Sequence, residues 1–513
     1  MGKFIKVIVT VFLVTSTHLS AETFLDKVVV TPLKKPTKIF DTFNNVQVIT
    51  SKDIKLQGYK SINEILSRSS SISIGSNGGH GQTKSVFLRG TESNHTKVLI
   101  NGVNLNPGTL GVPSIQHISV DMIESIEISK GSMSTLYGKD TIGGVINIIT
   151  KKNQGNQISI NRGTHNTNNF VYSGGFDYLN HNFSTNFSRL ESDSYKAKVT
   201  STKNHKYDTT NLDLNYIMNI GYNEISTNYY RSTGNTEYDS FGSNLNQNHR
   251  DSHIKFNINH IFSNSHLDLF YVKKTNEINQ AAPSATDYTH TKVNALGLEY
   301  MIPINELDHI LFGIDYADEA MYELSYGTSF KHTNKIKQAY ASSTFSATNN
   351  LQTNLGIRVQ NHSTYNNFTS GNIGINYYIN PKLVLSSALA KSFRAPDATD
   401  LFGYGGNSKL TPEESKTSEI SLRYRISDNE SFAGTFFHNR ITNLIESDGT
   451  KMQNINKAEI TGIDISYARY VNDTKYDIQY TYQEPKDKTN NVVLSRRPQN
   501  RMIGNVTYFF KNA

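Results

Sequence analysis

From about residue 156 onward the chain alternates apolar and polar residues, segment after segment. Leu212, Leu214, Tyr216 and Met218 interleave with Asp213 and Asn215. Ile254, Phe256 and Ile258 interleave with Lys255, Asn257 and Asn259. Ile420, Leu422, Tyr424 and Ile426 do so with Ser421, Arg423 and Arg425, and Tyr476, Ile478, Tyr480 and Tyr482 with Asp477, Gln479 and Thr481. A period of two gives each strand one apolar and one polar face. Too many such strands follow one another without helices for one soluble core, and Tyr and Phe gather near their ends. The pattern predicts a transmembrane β-barrel, apolar face to lipid and polar face to the lumen. An exported β-sandwich array or β-solenoid would share the period, because period two does not specify closure. At roughly 20 residues per strand and connection, the segment supplies about 17–18 strands.

Residues 41–152 have a different texture, that of a compact α+β domain. Val46-Gln47-Val48-Ile49 is strand-like. Ser51-Lys52-Asp53-Ile54 opens a short helix. Ser61 followed by Glu64 is a capping box for another. Asn101-Gly102 between Val98-Leu99-Ile100 and Val103-Asn104-Leu105 predicts a hairpin, since both turn residues accept positive φ. Ile123–Ile128 and Gly144–Ile149 complete the strands.

The N-terminus reads as an export signal over residues 1–21. Lys3 and Lys6 precede an apolar run from Val7 to Val14, and Ser16–Ala21 is small and polar. The apolar run is too short to span a membrane. The whole chain of 513 residues carries 51 Lys and Arg against 44 Asp and Glu, a formal charge of +7. That mild, unclustered excess gives no reason to invoke nucleic acid. There is no cysteine, so thiolate nucleophiles, Fe–S ligation and disulfides are excluded. No His-Glu-x-x-His motif or Gly-x-Ser-x-Gly elbow occurs, and an enzyme is not expected. Gly138-Lys139 lacks the spacing of a phosphate loop, and Asp140 follows the lysine.

Four motifs within about 65 residues resemble the plug domain of TonB-dependent outer-membrane receptors. They are Ser85–Thr91 with Val98–Val103, Ile123–Gly131, Ser134–Gly138, and Ile142–Thr150. Ser392-Phe393-Arg394-Ala395-Pro396, Leu401–Asn407, Leu410–Ser415 and Glu459–Asp464 resemble signatures of the family's barrel. Within the family, Gly78–His95 is most similar to the cobalamin receptors. The implied organisation is a signal peptide over 1–21, a TonB box and linker over 22–40, a plug over 41–152 and a barrel over 153–513, with the plug inside the lumen. The implied function is energy-coupled import of a scarce nutrient across the outer membrane of a Gram-negative bacterium. Cobalamin or a related corrinoid is the first cargo; an iron siderophore or haem is the alternative. A passive porin, or a ligand-binding shell without transport, is a further reading. The implied partners are TonB, the small-molecule ligand and outer-membrane lipid, with the receptor a monomer.

The resemblance also implies residue roles. Asp26, Lys27, Val28, Val29, Val30, Thr31 and Pro32 look like the TonB box, a flexible strand-former able to extend a partner sheet through its backbone. Pro32 and Pro36 disfavour a central plug strand there. Arg89 and Lys130 sit where family plugs carry paired cations, and Glu419 and Asp464 where barrels carry facing carboxylates. Lysine at 130 replaces the more usual arginine and cannot form the bidentate fork. Ordinary lumen charges are the alternative. Substrate is expected at Asn77, His80, Gln82, Glu92, Asn94, His95 and Asn106. Either histidine could ligate a metal, although a lone histidine in a polar loop is more often only solvated. No cofactor is required. Calcium would need a cluster of carboxylates, and Asp193, Asp208 and Asp239 are scattered among Lys196, Lys198, Lys203 and Lys206. Met502, Gly504, Val506 and Tyr508 alternate as a last strand before Lys511-Asn512-Ala513. Against the family's 22 strands, about four or five are expected to be missing, with a gap or forced closure in the barrel. A smaller barrel of even strand number is the alternative.

Overall fold

A computed structural model describes residues 24–152, 155–240, 242–280 and 287–510. The export-signal segment lies outside the described residues.

The first domain folds around a five-stranded sheet in the order Val46–Thr50, Ile123–Lys130, Gly144–Thr150, Thr96–Ile100, Val103–Asn104. Thr96–Ile100 runs parallel to Gly144–Thr150; the other pairs are antiparallel. Asn101 and Gly102 take φ of 50° and 80° and close the expected hairpin, with Ile100 opposite Val103. Thr50 caps the Ser51–Gln57 helix in a capping box with Asp53. Ser61 caps Ile62–Leu66 by accepting from the Glu64 N–H. The expected reciprocal bond shifts by one residue: the Glu64 carboxylate accepts from the Lys60 N–H instead. Ile54, Ile62, Ile65, Leu66, Ile72, Leu88, Ile126, Ile128 and Ile146 pack into the domain's core. A separate hairpin, Ile72–Ser76 with Lys84–Leu88, projects from it.

Among the described residues the remaining chain forms one antiparallel sheet of nineteen strands. One of these, Val492–Val493, is a two-residue piece; the others run from seven to twenty-one residues. The period-two segments are strands as expected. Phe256, Ile258, Ile420, Tyr424, Ile478 and Tyr482 stay exposed on the outer face, while Asn211, Asp213, Ser421, Arg423 and Thr481 are buried inside. Apolar side chains outside and polar ones inside invert the soluble rule, as lipid requires. The inner face is buried because the first domain fills the lumen: Arg358 on the strand Leu351–His362 donates to the carbonyls of Thr135 and Leu136, and Arg423 to that of Phe40.

Among the described residues the sheet is open. Gln157–Gly163 pairs only with Thr167–Tyr178, and Asn500–Tyr508 only with Thr474–Asp487. One end of the barrel has tight turns such as 221–222, 349–350 and 472–473; the long connections 193–206 and 395–412 lie at the other. Short turns on one side and long loops on the other are the habit of outer-membrane barrels.

Candidate functional site

Three groups of side chains tie the inner domain to the barrel, and each has its own geometry. The first lies at the turn end. The segment Asp26–Pro32 is clamped rather than loose, which corrects the expectation of a free strand. Val28–Val29 pairs with Thr37–Lys38 in a short hairpin. The buried Glu127 carboxylate accepts from the backbone N–H of Val30 at 3.1 Å and of Thr31 at 2.7 Å. Tyr137 donates to the Thr31 carbonyl, and Asn147 to its hydroxyl. Lys27 pairs with Asp53 at 3.0 Å, and Asp26 with Arg425 of the barrel at 2.9 Å. Burial alone would raise the Asp53 pKa, but Lys27 and the Thr50 N–H hold it below the ordinary carboxylate value. Leu25 and Val29 are fully buried, while Val28 and Val30 face outward. One side of the strand is therefore anchored and the other open.

The second group is central. Arg89 donates from Nη1 to Glu419 at 2.8 Å and from Nε to Asp464 at 2.7 Å. Lys130 approaches Asp464 at 3.8 Å. Thr481 donates to the other Asp464 oxygen, and the guanidinium lies 4.4 Å from the centre of the Phe437 ring. All four charged side chains are buried. The structure thus brings together the residues expected to face one another. Gly131, at φ 82°, makes room for them: a Cβ there would stand 2.1 Å from Glu419 Oε1. The long Lys130 contact is what a lysine without a planar fork gives.

The third group faces the loop end. Ser76, Asn77, Gly78, Gly81, Gln82 and Thr83 at the tip of the projecting hairpin meet Tyr195, Ala197 and Lys198 of the 193–206 loop, and Thr236, Tyr238, Asp239 and Gln247 of the wall. They enclose a cleft of about 710 Å³. Gln82 donates to the Glu237 carbonyl at 2.7 Å. His80 stacks on Tyr207, with ring centres 6.3 Å apart. Lys198 is paired with Asp239 at 3.1 Å. The cleft is thus lined by amides, hydroxyls and phenols around one neutralised ion pair.

Of the expected substrate residues, Asn77, Gln82 and the neighbouring His80 are in this region. His95 and Asn106 are not on a ligand-facing surface, a correction to that expectation. His95 is fully buried, accepts from the Glu92 N–H at Nδ1 and therefore donates from Nε2 to Glu413. Glu413 in turn accepts from the Ile445 N–H and meets Arg394. Asn106 bonds the Val98 N–H and the carbonyls of Thr96 and Gly111. Glu92 pairs with Arg497, and Asn94 beside it is half-buried. His95 and Glu92 thus tie the inner domain to the barrel, at Glu413 and Arg497, while the Asn106 side chain braces the inner domain's own turn. Asp193 pairs with Lys206 and Asp239 with Lys198, while Asp208 lies in the Tyr207–Ile220 strand opposite Glu191 and Asn235. They share no ligand set, and no group of three His, Asp or Glu suited to a metal occurs among the described residues. Sequence reasoning missed Glu127, Arg425, Tyr195, Tyr238 and Gln247. Only Glu127 carried a signal, as a lone carboxylate between Ile126 and Ile128.

A plug tied to a polar lumen and a clamped N-terminal strand call for comparison with known proteins. A family model described as the TonB dependent receptor-like β-barrel matches residues 146–513, and the TonB-dependent receptor plug domain matches 38–145. The chain belongs to the TonB-dependent receptors. Vitamin B12 transporters of Vibrio vulnificus and Photobacterium profundum are 27% and 26% identical to it, each over 94% of this chain and 82% of theirs. Among solved structures, the siderophore receptor PirA of Acinetobacter baumannii has a TM-score of 0.77 at 17% identity, covering 91% of this chain and 84% of that one. A ferric enterobactin receptor PfeA mutant of Pseudomonas aeruginosa gives 0.77 at 16%, covering 91% and 85%. At that identity the likeness is one of fold. In the receptor's terms, the inner domain is the plug; outer-membrane barrels in general turn their short connections to the periplasm and their long loops to the exterior. Transporters of this kind are not enzymes.

Proposed function

We propose that this receptor imports cobalamin or a related corrinoid across the outer membrane, energised by TonB acting on Asp26–Pro32. The observation that supports the cargo is the chemistry of the extracellular cleft. Its lining offers Asn77, Gln82 and Gln247, the hydroxyls of Ser76, Thr83 and Thr236, and the phenols of Tyr195 and Tyr238. Its one cation is already neutralised by Asp239. A large ligand carrying several neutral amides finds complementary donors and acceptors there. A multiply anionic ferric siderophore would find no free positive charge in the lining to repay its desolvation. The relatives at 26–27% identity, which are vitamin B12 transporters, agree with that cargo.

The periplasmic clamp supports the coupling. Val28 and Val30 present their side chains to a partner, whose pairing with the backbone would replace the contacts to Thr37–Lys38 and Glu127, and pulling there acts first on the Glu127 and Asp53 contacts. The central cluster joins plug to wall through charge-assisted hydrogen bonds with one ring face, that of Phe437, against the guanidinium, so it can be broken and remade without exposing a large apolar surface. The test is titration of the purified receptor with cyanocobalamin and with ferric enterobactin. Saturable binding of the corrinoid, weakened about tenfold or more by Gln82→Ala with Tyr238→Ala, is the expected result. Preference for the ferric catecholate would replace this cargo with the other.

A further inference from the structure

Directly beneath the cleft lie two imidazoles that neither cargo binding nor the central charge cluster uses. Strand register sets Tyr207, Thr236 and Gln247 side by side on the inner wall. Thr209, Gly234 and His249 form the next inward row, farther from the loops. Thr236 and Gln247 line the cleft. Tyr207 backs its plug side: a Cβ on Gly81 would stand 2.2 Å from the Tyr207 ring. Gly234 has no side chain, and the His249 ring takes that space, 2.8 Å from where a Cβ would be. His117 of the plug lies flat on His249, with ring centres 3.5 Å apart and planes at 5°. Its Nδ1 meets the Tyr207 hydroxyl at 3.1 Å, and its carbonyl accepts from Ser232 of the wall. Plug, wall and cleft floor therefore meet at one stacked pair.

The pair is arranged for the uncharged state. Both rings are buried. Nε2 of His117 lies 3.2 Å from the Gln116 amide, and Nε2 of His249 lies 3.3 Å from the Thr209 hydroxyl. Nδ1 of His249 is buried and has no hydrogen-bond partner among the described residues. No carboxylate bonds to either ring among the described residues. On the cleft side the titratable neighbours are Tyr207 and the His80 that stacks on it. Down the wall they are Tyr230, His253, Asp251 and Lys274. Asp251 accepts from Asn276, and Lys274 donates to the Asn106 carbonyl. Asp208 is on the opposite face of the strand from Tyr207. Two imidazolium ions face to face at this distance would repel one another, and neither would be solvated. Burial, with His249 adding to it, holds the His117 pKa well below the ordinary value. Separation of plug and wall restores an ordinary imidazole, with a pKa of about 6.5. The separated state then binds protons that the closed state refuses. Opening is thus indifferent to pH above about 6.5, and below it gains up to about tenfold per pH unit for each histidine released.

We propose that the His117–His249 stack is an acid-sensitive latch beneath the cleft: protonation of the freed imidazoles keeps plug and wall apart, Tyr207 loses its seat under Gly81, and bound cargo leaves faster. The cargo half of this rests on the corrinoid import proposed above; the latch itself does not.

The experiment is hydrogen exchange of the full receptor in detergent, read by mass spectrometry at pH 7.5 and 5.5 and corrected for intrinsic exchange rates. Protection over 77–82 and 115–118 is expected to fall about tenfold or more at the lower pH, while the plug strand Gly144–Thr150 keeps its protection. His117→Gln or His249→Gln alone should shrink that fall, and the double variant should remove it; the single variants keep the test open if the double one misfolds. In a second arm, cyanocobalamin should dissociate from preloaded receptor about tenfold faster at pH 5.5 than at 7.5, and at one rate from the double variant. Equal protection at both pH values, or an undiminished fall in folded single variants, would overturn the latch. A fall in protection with unchanged dissociation would overturn its link to cargo. Absence of corrinoid binding with the fall in protection intact would overturn the cargo and leave the latch supported.

Discussion

At the scale of single residues, buried charge decides how the plug is held. Arg89 has two carboxylates and Lys130 one, all out of water. Removing one partner leaves an uncompensated buried charge, so Arg89→Ala should cost about 3–5 kcal/mol of plug stability, read by urea unfolding in detergent. Gly131→Ala should destabilise in the same assay, because the new Cβ would press on Glu419 and positive φ is strained for alanine. His117 sets a pH dependence. It lies on the plug, stacked on His249 with ring centres 3.5 Å apart, beside Tyr207, Gln116 and Ser232. Burial, with His249 adding to it, pushes its pKa well below the ordinary imidazole value. The folded state therefore binds its proton less readily than the unfolded chain. Its stabilisation is complete above the unfolded pKa of about 6.5 and declines as pH falls through it. Thermal melts should show a lower midpoint at pH 5.5 than at 7.5, and His117→Gln should flatten that difference.

At the scale of elements, what the sequence made legible was local, and what it hid was long-range. Asn101-Gly102 announced its hairpin because positive φ is a property of those two residues. Alternation through 420–426 announced an outward apolar face because a strand's pleat imposes period two. The clamp on the TonB box was not legible, since Glu127 lies 97 residues from Val30 and no local pattern links them. Nor was the burial of His95 and Asn106: both sit in polar stretches that read as loop, yet His95 meets Glu413 of the wall and the Asn106 carbonyl accepts from Lys274 of the wall. The cleft was half legible, its plug side at Asn77 and Gln82 but not its wall at Tyr238 and Gln247. The clamp makes a prediction of its own. Glu127→Gln keeps the shape but weakens the charge-assisted bonds to the Val30 and Thr31 N–H groups. A spin label at Val28 should then become more mobile without ligand. An unchanged spectrum would mean that the other anchors, the Lys27 and Asp26 pairs, the hairpin with Thr37–Lys38 and the bonds to Thr31, fix the box without Glu127.

At the scale of the whole molecule, the plug fills a sheet whose two outer strands, Gln157–Gly163 and Asn500–Tyr508, each have one paired side among the described residues. Along those outer strands Arg501 reaches the carbonyls of Ser67 and Ile72 on the plug. Three layers of contact then lie in series: cleft, central charge cluster and periplasmic clamp. That order gives ligand at one face and mechanical pull at the other a common element to act on, the plug. The measurement that tests this most directly is uptake of labelled cyanocobalamin by cells whose only corrinoid receptor is this one. Accumulation that disappears on deletion of Asp26–Pro32, while surface binding persists, is the predicted result. Uptake indifferent to that deletion, or no binding at all, would contradict the account.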